Sequence, residues 1–202
     1  MHELNIPFLS DEDLRLIADN FRIKNWGDGI PIDIELIVEK RLNLDLIPIP
    51  GLYKITGTEA FLSGDLNEII FDTDRPDVRI RFSIAHEVGH YVLHKEQIKM
   101  LRAKSYDDWK EIINNIPGPI WGRAEYQASE FAGRLLVPGD DLISSIKKRK
   151  SLIEQAKKII NEDSSALIEF LATNISKEFK VADKTMLIRF HKENLNPFDY
   201  LH

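Results

Sequence analysis

The stretch that decides the fold is RFSIAHEVGHYVLH, residues 81–94. It contains an H-E-x-x-H motif, formed by His86, Glu87 and His90, in an apolar run that favours a helix. Residues four apart lie on one face of a helix, about 6 Å apart along its axis, so both imidazoles can bind one zinc ion. Glu87 can then take a proton from a water that the metal activates, as in metal-assisted peptide hydrolysis. The alternative is a chance occurrence of a short motif.

A catalytic zinc site takes a third protein ligand and keeps one position open. His94 follows His90 by four residues, but three ligands along one helix extend too far to meet at a single ion. We therefore expect His94 to be a partly buried or surface histidine. Of the remaining histidines, His2 and His202 lie near the chain ends, and His191 stays an outside candidate.

Glu125 is the better candidate for the third ligand. It shares one face of a predicted helix, residues 123–136, with apolar side chains only: Ala128, Ala132, Leu135 and Leu136. A carboxylate that points toward a core is costly unless it is paired or binds a metal. Glu130 lies about 140° further around the helix axis, so we expect it to face solvent. The alternative for Glu125 is an ion pair with Arg81 or Arg123.

Composition narrows the class of protein. The 202 residues include no cysteine, which excludes disulfides, thiolate nucleophiles and cysteine-bound zinc. The net charge of −6 is the opposite of what nucleic-acid binding favours, so we expect no direct binding to nucleic acid. An export signal or membrane-spanning run is missing from the sequence, and we expect a cytoplasmic protein without membrane contact.

Periodicity predicts helices around a small sheet. A helix should begin after the cap residue Ser10, and a second should cover residues 32–42. Residues 44–71 predict a small antiparallel sheet or meander, with its best strand at residues 68–71. This strand could be an edge strand that accepts a peptide, or it could be paired within the sheet. The motif helix should begin between Val78 and Ser83, because residues 78–84 alternate as a strand does. Further helices are expected over residues 106–115 and 123–136 and through the rest of the chain.

Two blocks of sequence resemble the ImmA/IrrE family of metallopeptidases. The first is residues 81–94, and the second is EYQASEFAGRLLVP, residues 125–138. The resemblance implies a gluzincin-like zinc site in which His86 and His90 match the histidine ligands, Glu87 the catalytic glutamate and Glu125 the third ligand. It also implies regulated cleavage of a helix-turn-helix repressor in a stress response or in mobile-element control.

The chain departs from the family pattern at three places. The usual asparagine four residues after the third ligand is Ser129, a candidate for orienting a metal ligand through a hydrogen bond. The usual threonine is Ser83. The segment between His90 and Glu125 is long, and residues 97–120 can form a lid, a substrate platform or a plain insertion. None of these departures removes a ligand or the base.

These observations predict an α+β protein with a zincin-like metallopeptidase core over residues 1–138 and a helical C-terminal extension over residues 139–202. The predicted function is a zinc endopeptidase acting on a helix-turn-helix repressor, with Mn²⁺ or Fe²⁺ as alternative metals. Tyr91, Tyr126 and Arg123 are candidate donors to the oxyanion. The alternatives are a metal-containing module that binds a regulatory partner without cleaving it, and a DNA-binding regulator built on the C-terminal helices.

Overall fold

A computed structural model describes residues 4–103, 105–160 and 164–201. The described residues form two compact units. The first contains the residues up to Gly27 together with Asp33–Leu135, and the second contains Asp28–Ile32 and the residues from Leu136 onward. The predicted domains, residues 1–138 and 139–202, stay a prediction, because compactness alone does not show that a unit folds independently.

The first unit opens with helix α1, Asp11–Asn25. Its predicted N-cap is confirmed. The Ser10 side chain accepts a hydrogen bond from the Asp13 N–H, and the Asp13 carboxylate accepts one from the Ser10 N–H. The helix predicted over residues 32–42 is irregular. It consists of a short α-helical turn, α2, Ile34–Leu36, which continues into a π-helix, Ile37–Leu42.

The sheet has three strands in the order β1-β3-β2. Strands β1, Asp45–Ile49, and β3, Glu68–Asp72, run parallel, whereas β2, Ala60–Leu62, pairs antiparallel with β3. The prediction of an antiparallel sheet was therefore wrong for the β1–β3 pair. Helix α3, Leu52–Thr56, and β2 lie between these strands, so the connection is long enough to return the chain in the same direction.

For the strand at residues 68–71 the sequence left two possibilities, an edge strand that takes a peptide and a strand paired within the sheet. The structure shows the second and contradicts the first. This strand lies between β1 and β2, so neither of its backbone edges is open to a peptide. Its successive residues Ile69 and Ile70 are both buried, which is typical of a strand covered on two faces. In this described sheet the edges are β1 and β2.

Helix α4, Asp77–Leu93, carries the H-E-x-x-H motif and packs on β2 and β3. It begins one residue before the predicted range, at Asp77. Pro76 stands at the N-cap, where its missing N–H is not required, and Asp77 places a negative charge in the first turn. The strand-like alternation is overridden because Ile84 and Val88, four residues apart, share the buried face.

Three helices complete the first unit: α5, Lys95–Leu101; α6, Tyr106–Asn114; and α7, Gly118–Leu136. The predicted start of α6 is confirmed by the Ser105 side chain, which accepts from the Asp108 N–H. Helix α7 begins five residues before the predicted Arg123, because Pro119 lies in the first turn, where proline is tolerated. Ala128, Ala132, Leu135 and Leu136 are fully buried, as their common face predicts.

The described part of the second unit consists of helices, their connecting turns and the non-helical segment Asp28–Ile32. It contains α8, Gly139–Lys147; α9, Lys150–Ile160; α10, Ser164–Phe179; α11, Asp183–Lys192; and a final 3-10 turn, Pro197–Tyr200. Phe179 and Phe190 are fully buried in its core. With its many helices and small mixed sheet, the chain has an α+β fold. Over the described ranges, none of the helices is long and apolar enough to cross a lipid bilayer.

Candidate metal centre

Helices α4 and α7 bring three ligand-type side chains to one point. The Nε2 atoms of His86 and His90, one turn apart on α4, lie 3.1 Å from each other. Glu125 reaches them from α7, with Oε2 3.2 Å from His86 Nε2 and Oε1 3.3 Å from His90 Nε2. The three residues whose spacing and helix faces single them out in the sequence are therefore side by side.

The separations of these atoms fit a metal ion. A tetrahedral centre with bonds of about 2.0–2.1 Å holds its ligand atoms about 3.3 Å apart, and the three observed separations are 3.1–3.3 Å. Two imidazole nitrogens and one carboxylate are also a donor set that zinc, manganese and iron accept. Among the described residues, His86, His90 and Glu125 form a group that could hold one metal ion.

Charge interactions tie the three residues together. Burial acts to raise the pKa of Glu125, but the hydrogen bonds from His86 and His90 outweigh it and hold that pKa far below its usual range. Burial acts to lower the pKa of His86, and the neighbouring Glu125 and Glu87 raise it above the usual value. Glu125 does not point into the core, since 44% of its side chain is exposed. It borders open space, which leaves access for a further ligand.

Glu87 is buried beside this group and is fixed by the sheet. The backbone N–H of Leu62, on edge strand β2, donates a hydrogen bond of 2.9 Å to Glu87 Oε2. Burial raises the pKa of Glu87, and the neighbouring His90 and His86 act in the opposite direction. A carboxylate with a raised pKa is a stronger base than an exposed one, which suits proton transfer near neutral pH.

Ser129 lies one turn after Glu125 on α7 and contacts Nδ1 of His86, the ring nitrogen that points away from the candidate centre. Its Oγ is 3.2 Å from His86 Nδ1. The serine at this position therefore reaches the imidazole although it is shorter than the asparagine usual in the family.

His94 is a functional candidate that the sequence analysis missed. The expectation of a partly buried or surface histidine was wrong, because His94 is fully buried. Its Nδ1 lies 3.1 Å from His90 Nδ1, and its Nε2 lies 2.9 Å from Gln127 Oε1. Burial and the charge of His90 lower the pKa of His94 to about 4, so its ring is neutral at neutral pH. The signal in the sequence was the four-residue spacing from His90, which puts both rings on one face of α4.

The environment of Glu130 also differs from the expectation. Glu130 was predicted to face solvent, but it is only 9% exposed, and its Oε2 is 3.6 Å from Arg134 Nη2. Helix α7 is covered on this side too, since Gln127 and Arg134 are buried as well. The carboxylate thus faces a cation on its own helix, whereas Glu125 faces the two histidines.

Several other candidate ligands and oxyanion donors have partners or positions outside this group of three residues. Arg123, the alternative partner for Glu125 and a candidate oxyanion donor, donates to the Ile6 carbonyl, and Tyr126 donates its hydroxyl to Asp11. His191 lies on α11, in the second unit. His2 and His202 lie outside the described residues.

A cleft of about 450 Å³ lies beside edge strand β2. One wall is formed by β2 and the turn that follows it, including Leu62, the residue that binds Glu87. Tyr106 and Trp109 of α6 form part of the opposite wall, and their rings contact each other. Trp109 also contacts Trp121, whose ring stacks on that of His90 with the centroids 5.5 Å apart. The long segment between the two sequence blocks therefore contributes a wall to this cleft.

The family comparison agrees with this geometry. The model of the peptidase M78 family, described by its IrrE N-terminal-like domain, matches residues 56–191. The match covers more than half of the chain and includes both helices of the candidate centre, so the chain belongs to this family of metal-dependent peptidases. No curated protein matches the chain.

Proposed function

We propose that this chain is a zinc-dependent endopeptidase with a zincin-like core, and that its substrate is a helix-turn-helix repressor in a stress or mobile-element response. The observation that carries the proposal is the position of Glu87. Its buried carboxylate, held by the Leu62 N–H, lies beside three residues with the spacing of a metal site. A site that only stores metal has no use for such a base.

In this proposal His86, His90 and Glu125 hold the ion, and Glu87 moves the proton. The bound cation supplies Lewis-acid activation of a water molecule and of the scissile carbonyl. Glu87 accepts the proton of that water as it attacks, and then donates it to the leaving amine. The Leu62 N–H keeps the carboxylate aimed during both transfers.

The cleft beside β2 is the proposed path of the substrate. An extended peptide there would run along an edge strand as far as Leu62, the residue whose N–H binds the Glu87 carboxylate. The aromatic rings of α6 would contact the side chains of the peptide on the opposite wall. This path requires an extended segment, so we expect cleavage at one or a few flexible sites of the repressor.

The test is cleavage of a candidate repressor by the zinc-loaded chain, followed by electrophoresis with and without a chelator. We expect one or a few fragments that the chelator abolishes and that the Glu87→Gln variant does not produce. A proteome-derived peptide library in a parallel digestion identifies the preferred bond without assuming the substrate. A repressor that binds but stays intact with zinc, manganese and iron would contradict the peptidase proposal and favour the non-cleaving binding module.

A further inference from the structure

A chain of buried hydrogen bonds connects candidate ligand His90 to the backbone near the N-terminus. His90 Nδ1 lies 3.1 Å from His94 Nδ1, and His94 Nε2 lies 2.9 Å from Gln127 Oε1. Gln127 Nε2 then donates to the Pro7 carbonyl at 2.8 Å. His94 and Gln127 are almost completely buried, so these polar atoms satisfy one another and not bulk solvent.

The direction of every bond in this chain follows from its last member. A backbone carbonyl can only accept, so the Gln127 amide must turn its NH₂ toward Pro7 and its oxygen toward His94. An amide oxygen can only accept, so His94 carries its proton on Nε2. The 3.1 Å contact between the two Nδ1 atoms holds one proton. Because His94 is fully buried and already donates from Nε2, His90 supplies that proton and His94 Nδ1 accepts it. With its proton on Nδ1, His90 has only Nε2, the atom that faces His86 and Glu125, left to bind a metal ion.

The acceptor at Pro7 is held in place by contacts of the two residues before it. The carbonyls of Asn5 and Ile6, just before it, accept from Gln97 at 3.2 Å and from Arg123 at 2.8 Å. Ile6 is only 1% exposed. Residues 5–7, which we call the N-terminal strap, are thus fastened to the helices that surround the candidate metal centre.

His86, the other candidate histidine ligand, lacks such a constraint. His86 Nδ1 contacts the Ser129 hydroxyl, which can either donate or accept. The proton position on His86 is therefore not dictated by this neighbour, whereas that on His90 is dictated over three successive hydrogen bonds.

We infer that His94 and Gln127 are positioning residues, and that the N-terminal strap uses them to hold His90 in the tautomer whose Nε2 is free to bind a metal ion. This inference rests on the proposed metal site. Partners that fix a metal-binding histidine in this way typically change metal affinity by about 10–100-fold. The strap is consequently part of the metal centre although it supplies no side chain to it.

The tautomers are measured directly by long-range ¹H–¹⁵N NMR of the histidine rings in the metal-free and the zinc-loaded full chain. We expect the His94 proton on Nε2 and the His90 proton on Nδ1 in both forms. A proton on His94 Nδ1 would overturn the inference. This measurement decides the question even if no variant folds, and it is separate from whether the wild type binds zinc or cleaves a peptide.

Zinc dissociation constants of two variants provide the second readout. Gln127→Met keeps the length of the side chain and removes the acceptor for His94, so zinc affinity should fall about 10–100-fold and the His94 tautomer should no longer be fixed. Gln97→Met is the comparison variant: it removes one outer contact of the strap but keeps the bonds that run from Pro7 to His90, so zinc affinity should fall much less. Wild-type zinc affinity in Gln127→Met, or an equal loss in Gln97→Met, would contradict the inference.

Discussion

Gly89 lies directly against the backbone of Ala128. A Cβ atom at Gly89 would be 2.8 Å from the Ala128 carbonyl oxygen, closer than real Cβ atoms come, and 3.0 Å from its Cα, tighter than most Cβ contacts. The two helices that carry the candidate ligands can therefore come this close only because residue 89 is glycine and has no Cβ atom. This contact lies one residue before His90 and three residues after Glu125, so it sets the separation of the two ligand-bearing helices.

The substitution Gly89→Ala should force α7 away from α4. Overpacking of this kind costs about 1–3 kcal/mol, and we expect metal affinity to fall because Glu125 moves with α7. Gly122→Ala is the matched control, since nothing lies within 4 Å of a Cβ there and alanine in a helix is favourable by about 1 kcal/mol. Thermal unfolding and zinc titration of both variants check this. Unchanged zinc affinity in Gly89→Ala would show that the helix separation does not control the site.

The hydroxyl of Ser129 should contribute to metal affinity through His86. Ser129→Ala removes the partner of His86 Nδ1, and we expect zinc affinity to fall about 10-fold. Ser83→Ala removes a hydroxyl that bonds to Glu59 and not to a candidate ligand, so it serves as the control. Competition with a chromogenic chelator gives both dissociation constants. Equal affinities in the two variants would assign no role to Ser129.

The second unit should lose stability in acid through Glu178. Burial acts to raise its pKa, but hydrogen bonds from Arg149 and Ser145 outweigh it and leave the folded-state pKa below the usual value of 4.5. A lowered folded-state pKa stabilises the protein at pH values above the unfolded-state pKa, and this contribution is lost as the pH falls through the folded-state pKa. Because Glu178 is about one third exposed, the effect at neutral pH should be about 1 kcal/mol or less.

Urea unfolding of Glu178→Gln at pH 7 and in acid measures this contribution. The variant should be less stable than the wild type at pH 7 and should approach it at low pH. Glu169→Gln, an exposed position on the same helix, is the control and should follow the wild type throughout. A constant difference between Glu178→Gln and wild type at every pH would mean that the ion pair with Arg149 is not its source.

The features predicted well from sequence depend on neighbours within one helix. The spacing of His86 and His90 is local, and so are the caps at Ser10 and Ser105. Glu125 could be selected because it interrupts an apolar face of a single helix. In each case the helical period alone determines which side chains lie together.

The features that sequence reasoning missed depend on contacts between distant segments. The pairing of β1 with β3 is not encoded in either strand. Glu130 is buried because α7 is covered on more than one side, which its own periodicity does not reveal. The role of His94 became visible only when Gln127, on another helix, and Pro7, near the N-terminus, were seen to lie in line with it.

Metal content of three purified variants tests the assignment of the centre most directly. Elemental analysis should find near one zinc ion per chain in Glu87→Gln, which removes the base and keeps every ligand, and also in Glu130→Ala, which leaves Arg134 without this carboxylate but does not touch the two histidines. Glu125→Ala should lose most of its zinc. A fully loaded Glu125→Ala beside an empty Glu130→Ala would mean that the other carboxylate of α7 is the ligand, and it would contradict the metal centre described above.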